Sequence, residues 1–409
     1  MNKKILTVGQ DKGDLTGSSN LVIQAAIDYL SYIGGGTLNI GSGVYEIQSA
    51  IHLRPNISII GGRETILRKC DNVVSNLALD GDMNQRQLTL VNADGFEPGH
   101  TVNVGIKDKS LGFHNTTAVI TGKYGNTLSI DRGLNNDFIA AKGAVAERNF
   151  SIFSGYHCEN IVIKNIKING NKENNSRVGG CRNGGIYFFE SNNILIENCE
   201  ISDYNGDGIS YQVCNDVTVR NCKVTGCGGL GLHPGSGSTR TKILNSVSNY
   251  NNLDGIFVCW RVTDSEIENC ECIGNGRHGF SIGHKDAHNT IRNNIFSGNM
   301  ECGMFFRHES ELQGGNYNIV VNNIVLDNGI TNHDKDANPT AITLGENTIG
   351  CKFIGNKIGY ENLPVEFHAS GRKTIGVHIN ASAFENVFEN NRFVGCSVET
   401  VKGETAAEH

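Results

Sequence analysis

"LDGIFVCWRVTDSEIENCECIGNGRHGFSIGHK", residues 253–285, holds one pattern twice. Gly255 and Gly279 each open a short alternating apolar run. Working outward, six segments align on a glycine: "GGIYFFES", "DGISYQVC", "LGLHPGSG", "DGIFVCWR", "HGFSIGHK" and "CGMFFRHE". Their glycines are Gly185, Gly208, Gly231, Gly255, Gly279 and Gly303, at steps of 23, 23, 24, 24 and 24. A second register runs through Asn198, Asn221, Asn245, Asn269 and Asn293, stepping by 23, 24, 24 and 24, with weaker copies at Asn165, Asn322 and Asn390. One lap of this length cannot bury its own apolar face, so the laps must stack. Equivalent residues then lie about 4.8 Å apart, the spacing of neighbouring strands. Asn suits a repeated bend because it tolerates the left-handed conformation. The expected fold is an all-β parallel β-helix, a solenoid.

Composition agrees. The 409 residues include 51 Gly and 5 Pro, as many short strands and tight turns require. A net charge of −7 argues against nucleic acid as a partner. No apolar run reaches the length of a membrane span. The start, "MNKKILTVGQDKGD", lacks the apolar core of a signal peptide. The expectation is a cytoplasmic chain, or one whose signal was removed before this numbering. Thirteen cysteines with no metal-type CxxC pair read as reduced, small apolar residues.

The ends differ from the middle. Residues 20–33, "NLVIQAAIDYLSYI", have helical periodicity, with Ser18, Ser19 or Asn20 as N-cap. Residues 1–85 are expected to form an N-terminal cap and the first coils. Residues 86–148 lack the repeat and carry hairpin signals such as "YGNT", so they read as a β insertion. Residues 149–398 supply the coils, with loops such as "NHDKDANPT" after residue 312. Residues 399–409 read as a polar, frayed tail.

Within each glycine segment, positions one and three are apolar and expected inside, for example Ile256 and Val258. Positions two and four, among them Tyr187, Gln212, His233, Phe257 and Arg307, are expected outside. Lap arithmetic brings Trp260, His284 and His308 to one position, and Arg261, Lys285 and Glu309 to the next. Arg307 lies two positions before Glu309. Cations gathered on an acidic chain suit an anionic sugar such as a uronate. Tyr187, Gln212, His233, Trp260, Arg261, His284, His308 and Glu309 are thus candidate substrate contacts. Asp207 and Asp254 precede their glycines two coils apart, roughly 10 Å, near the carboxyl separation of an inverting glycosidase. His278 lies one coil from Asp254.

"HKDAHNTIRNNIFSGNMECGMFFRHE", residues 284–309, resembles the catalytic coils of β-helical alginate lyases and chondroitinase B. The helix leading into "GGGTLNIGSGVYEI" resembles the N-terminal cap of the pectate-lyase superfamily, which implies a right-handed β-helix. The resemblance implies Lys285 as general base and Arg307 as general acid or charge stabiliser in a β-elimination. Those lyases often bind calcium through acids on the preceding coil. Here that stretch is "RHGFSI", without a carboxylate, so no cofactor is expected. "NLDG" and "RHGFSIG" also resemble polygalacturonase-type hydrolase motifs, at Asp254, His278 and Gly279, but that family's paired-Asp motif is missing. The leading expectation is a lyase acting on a uronate-containing poly- or oligosaccharide. The alternatives are a hydrolase or epimerase using Asp207 and Asp254, and a non-catalytic glycan-binding or phage-tail-type solenoid.

Overall fold

The computed structural model describes residues 4–106, 114–331, 337–365, 367 and 371–403. The chain divides into two units: residues 1–188 with 200–210, and residues 189–199 with 211–409.

In the second unit the lap read from the sequence is the register of the sheets. Strands Glu266–Glu268, Glu271–Ile273 and Phe280–Ile282 make one coil, and Thr290–Arg292, Ile295–Ser297 and Met304–Phe306 make the next. They pair in parallel as Glu266 with Thr290, Glu271 with Ile295 and Phe280 with Met304. Each partner lies 24 residues on, so three parallel sheets grow together into a β-helix. Ile267, Cys272, Phe280 and Ile282 fill the interior at 0–1% exposure. Asn221, Asn245, Asn269 and Asn293 all have positive φ, between 50° and 58°, as the bend reading requires. Asn269 Nδ2 also donates to Asn245 Oδ1 at 3.1 Å.

A second asparagine system lies inside. Asn251, Asn275, Asn299 and Asn328 are buried and joined amide to amide along the axis at 2.9–3.0 Å. The Oδ1 atoms of Asn275, Asn299 and Asn328 also accept the backbone N–H of the preceding Asn, and Asn251 Oδ1 accepts that of Cys227. The inward turns thereby satisfy backbone groups that water cannot reach.

In the first unit, Ser19 caps helix Asn20–Tyr32, its Oγ accepting from the Leu21 N–H. Ile23, Ala26, Ile27 and Leu30 are buried where the helix meets strands Ile5–Gly9 and Gly36–Ile40. The insertion is a six-stranded antiparallel sheet that begins at Val74–Asn76, earlier than residue 86, and ends at Ala144–Glu147. It has its own core, including Leu88, Phe96, Val102, Ile120 and Phe138. Gly125, at φ 56°, turns the hairpin in "YGNT". Inside this unit Lys69 is 1% exposed. Its Nζ donates to Asn149 Oδ1 (2.8 Å) and Asn205 Oδ1 (2.7 Å), over the rings of Phe150 and Tyr204. Burial lowers its pKa to about 7.

Two expectations need correction. The outward positions are largely covered. Tyr187, Ser210, Gln212, His233, Cys259 and Ser281 are all below 7% exposed. In the first unit the turn at Gly180–Cys181 takes the hydroxyls of Ser210 and Tyr187 on its carbonyls. In the second unit the Gln212 side chain lies against Gly235, where a Cβ would sit 2.2 Å from Oε1. The polar end also holds more structure than a frayed tail, because Val398–Lys402 pairs with Ile375–Ile379. Residues 404–409, and 332–336 of the expected loop, lie outside the described residues. The 13 cysteines form no disulfide.

Candidate functional site

Two successive turns of the second unit carry the residues that the lap arithmetic aligned. Trp260 and Arg261 have φ 58° and 64°, and one coil later His284 and Lys285 have φ 34° and 66°. None is glycine, and bulky residues rarely adopt this region. The left-handed conformation costs about 1–2 kcal/mol per residue. Trp260 stacks on His284 at 4.8 Å and is 45% exposed. Arg261 and Lys285 are exposed.

The turn beneath Lys285 is braced from inside. Asp286 has no exposed surface. Its Oδ1 accepts the Val262 N–H at 2.9 Å, and its Oδ2 accepts the Gly283 N–H (3.0 Å) and Arg307 Nη2 (3.1 Å). Burial pushes this carboxyl up, to about 7, against the pull of Arg307 and the two N–H groups. Arg307 further donates to Ser281 Oγ (3.0 Å) and the Val258 carbonyl (2.9 Å), and its guanidinium lies over Phe257 at 4.4 Å. Glu309 accepts the His284 N–H at 2.9 Å, with its other oxygen 3.1 Å from His284 Nδ1.

A second cluster surrounds Asp254, which is also wholly buried. Arg277 grips it through Nε and Nη2, both at 2.7 Å. The His278 backbone N–H donates to its Oδ1 at 3.1 Å. The His278 ring turns elsewhere, stacking on Phe305 at 4.4 Å. Its Nδ1 accepts the Cys302 N–H, which leaves the proton on Nε2 facing Glu301 Oε2 at 3.2 Å. Burial lowers the His278 pKa to about 4, opposed by Asp254 and aided by Arg277 and Arg307.

The structure thus gathers Trp260, His284 and Glu309 at one edge, with Arg307 Nε 3.8 Å from Glu309. His308 stands apart, its Nδ1 accepting the Glu346 N–H. His233 is buried edge-on to Phe257 at 5.4 Å. Asp207 and Tyr187 belong to the first unit, where Asp207 is buried against Gly180. Among the described residues, no three His, Cys, Asp or Glu side chains converge as a metal site requires. Sequence reasoning missed Arg277, Asp286 and Glu301. The signal for the first two was opposite charge about one lap away: Arg277 from Asp254, and Asp286 from Arg307.

The chain belongs to the family described as "Right handed beta helix region", whose match at residues 134–263 and 174–358 spans more than half of it. No curated protein matches it. Among solved structures it is similar to the A-module of the mannuronan C-5 epimerase AlgE4 of Azotobacter vinelandii, with 14% identity, TM-score 0.60, and coverage of 98% of this chain and 100% of that one. A glycoside hydrolase gives 12% identity and TM-score 0.56, covering 95% and 96%. PfbA, a surface adhesin of Streptococcus pneumoniae, gives 12% and 0.55, covering 95% and 89%. At such identities the likeness is one of fold.

Proposed function

We propose that the protein binds an acidic polysaccharide along the edge formed by Trp260, Arg261, His284 and Lys285, and removes the proton α to a uronate carboxylate. The observation that carries this reading is the pair of strained turns, which hold an aromatic face and two exposed cations in the left-handed conformation that the preceding coil gives to the small residues Ser236 and Gly237. Trp260 offers a face for a sugar ring, and Arg261 pairs with the carboxylate. Lys285, as an amine, takes the C5 proton while the electron pair moves into the carboxylate. Loss of the C4 oxygen then gives β-elimination, and return of a proton to the opposite face gives epimerisation. Arg307 acts as a positioning residue, since its guanidinium is committed to Ser281, Val258 and Asp286. AlgE4 is named for C-5 epimerisation of mannuronan, a compatible chemistry. The hydrolytic alternative draws less support, because Asp254 is wholly buried and its oxygens are taken by Arg277 and the His278 N–H.

The test is a panel of uronate polysaccharides in deuterated water. Absorbance of an unsaturated uronate reports elimination, deuterium at C5 without cleavage reports epimerisation, and new reducing ends alone report hydrolysis. Either of the first two supports the reading. Hydrolysis alone, or binding without turnover, overturns it.

A further inference from the structure

The first unit holds a cleft of about 350 Å³ where the insertion sheet faces the first coils. Its floor is the outward face of two paired strands, with Ser154 in register with His52. Its wall carries Thr117, Ala118, Asp131 and Arg132 from the insertion. Ligand clefts run from about 300 to 1,000 Å³, so this one suits a single small ring.

The charges decide what kind of ring. Arg132 is held by Asp131, Nη2 to Oδ2 at 3.2 Å, and lies over the Tyr156 ring at 5.1 Å. Arg54 is held by Asp28 at 3.1 Å. Each guanidinium already has its carboxylate, so the cleft offers little net attraction to an anion. Burial and the neighbouring Arg54 lower the His52 pKa, so its imidazole is neutral at pH 7. His52 Nε2 is buried and makes no hydrogen bond among the described residues. A buried imidazole nitrogen left this way is unfavourable, and a ligand hydroxyl would relieve it. Ser154 and Thr117 line the same cleft with their hydroxyl-bearing side chains, and Leu53 and Ala118 supply apolar surface for a C–H face.

We infer that this cleft is a carbohydrate site for one neutral sugar residue, bound through His52, Ser154 and Thr117 beside the Arg132–Tyr156 stack. It stands independently of the chemistry proposed for the second unit, and it would anchor a glycan by a sugar that is not itself processed.

The experiment is NMR of the full chain with labelled histidine, the His52 signal being assigned through His52→Gln. Methyl glycosides of glucose, galactose and mannose are titrated singly, with glucuronate as the acidic comparison. The expected result is a saturable His52 shift with at least one neutral glycoside, abolished in Ser154→Phe, which fills the cleft. If Ser154→Phe does not fold, Thr117→Val should weaken binding several-fold. No neutral glycoside shifting His52, a shift that survives in the folded cleft variant, or a response to glucuronate alone would each overturn the inference. Trp260, the only tryptophan, reports acidic glycan in the second unit by its fluorescence, so the two readings fail separately.

Discussion

Arg277 closes on Asp254 across one coil, two 2.7 Å bonds to a carboxylate with no exposed surface. Removing one partner of such a pair leaves an uncompensated buried charge or its empty socket, at about 3–5 kcal/mol. Arg277→Leu should lower stability by that amount in chemical denaturation. Arg277→Leu with Asp254→Asn should recover most of it, because a neutral amide leaves no unpaired charge and keeps an acceptor for the His278 N–H. Equal losses in the single and double variants would show that the pair does not act as a unit.

The interior amide ladder makes a second prediction. Asn275 receives two bonds from Asn251 and gives two, to the Ser248 carbonyl and to Asn299 Oδ1. Asn275→Leu strands buried groups on both neighbouring coils, each costing about 1–3 kcal/mol. The variant should lose at least about 3 kcal/mol. Asn269→Gly, at an exterior bend with φ 53°, should change stability by less than about 1 kcal/mol. Similar losses in the two would mean that the interior ladder carries no special weight.

These two asparagine systems show what a linear reading can and cannot reach. The exterior bends recur at fixed steps beside apolar runs, so Asn221, Asn245 and Asn269 announce both the lap and their conformation. The interior ladder recurs as regularly, but only burial distinguishes a ladder amide from a polar loop residue. The aligned cations were legible because the lap superposes them. Their partners were not, because Asp286 serves Arg307 from inside a turn and Arg277 reaches back a whole coil. Lys69 lay furthest from view. Its two amide acceptors are 80 and 136 residues away, on segments outside the clear repeat.

Lys69 gives stability a pH dependence. An ordinary lysine loses its proton at 10.5, and Lys69 loses it at about 7. Between these values the unfolded chain binds more protons than the native one, so stability rises with pH across that window. Each pH unit is worth about 1.4 kcal/mol for one group. Melting temperature followed from neutral to alkaline pH should therefore rise more in the wild type than in Lys69→Met. Parallel curves would mean that Lys69 keeps its proton throughout.

The strained turns should show a trade between stability and activity. Arg261 holds φ 64°, a conformation glycine adopts without a Cβ clash. Arg261→Gly should gain about 0.5–1 kcal/mol, the relieved strain less the extra chain entropy of glycine. It should also raise the KM for a uronate polymer at least tenfold. A variant that is both destabilised and fully active would remove the reason for reading the strain as functional.

Lys285 separates a base from a mere cation. Lys285→Arg keeps the positive charge and much of the reach, but a guanidinium does not give up its proton in a protein. If Lys285 takes the C5 proton, this variant should still quench Trp260 fluorescence on binding a uronate polymer, while turnover and deuterium uptake at C5 fall by at least about 100-fold, the usual worth of a positioned general base. Lys285→Ala should weaken binding as well. Asp286→Asn supplies the structural comparison. It keeps Lys285 but loosens the turn through Arg307 and the Gly283 and Val262 N–H groups, so its loss should be partial. Full activity in Lys285→Arg would leave Lys285 as a charge on the binding edge and send the search for the base to the Glu301–His278 pair.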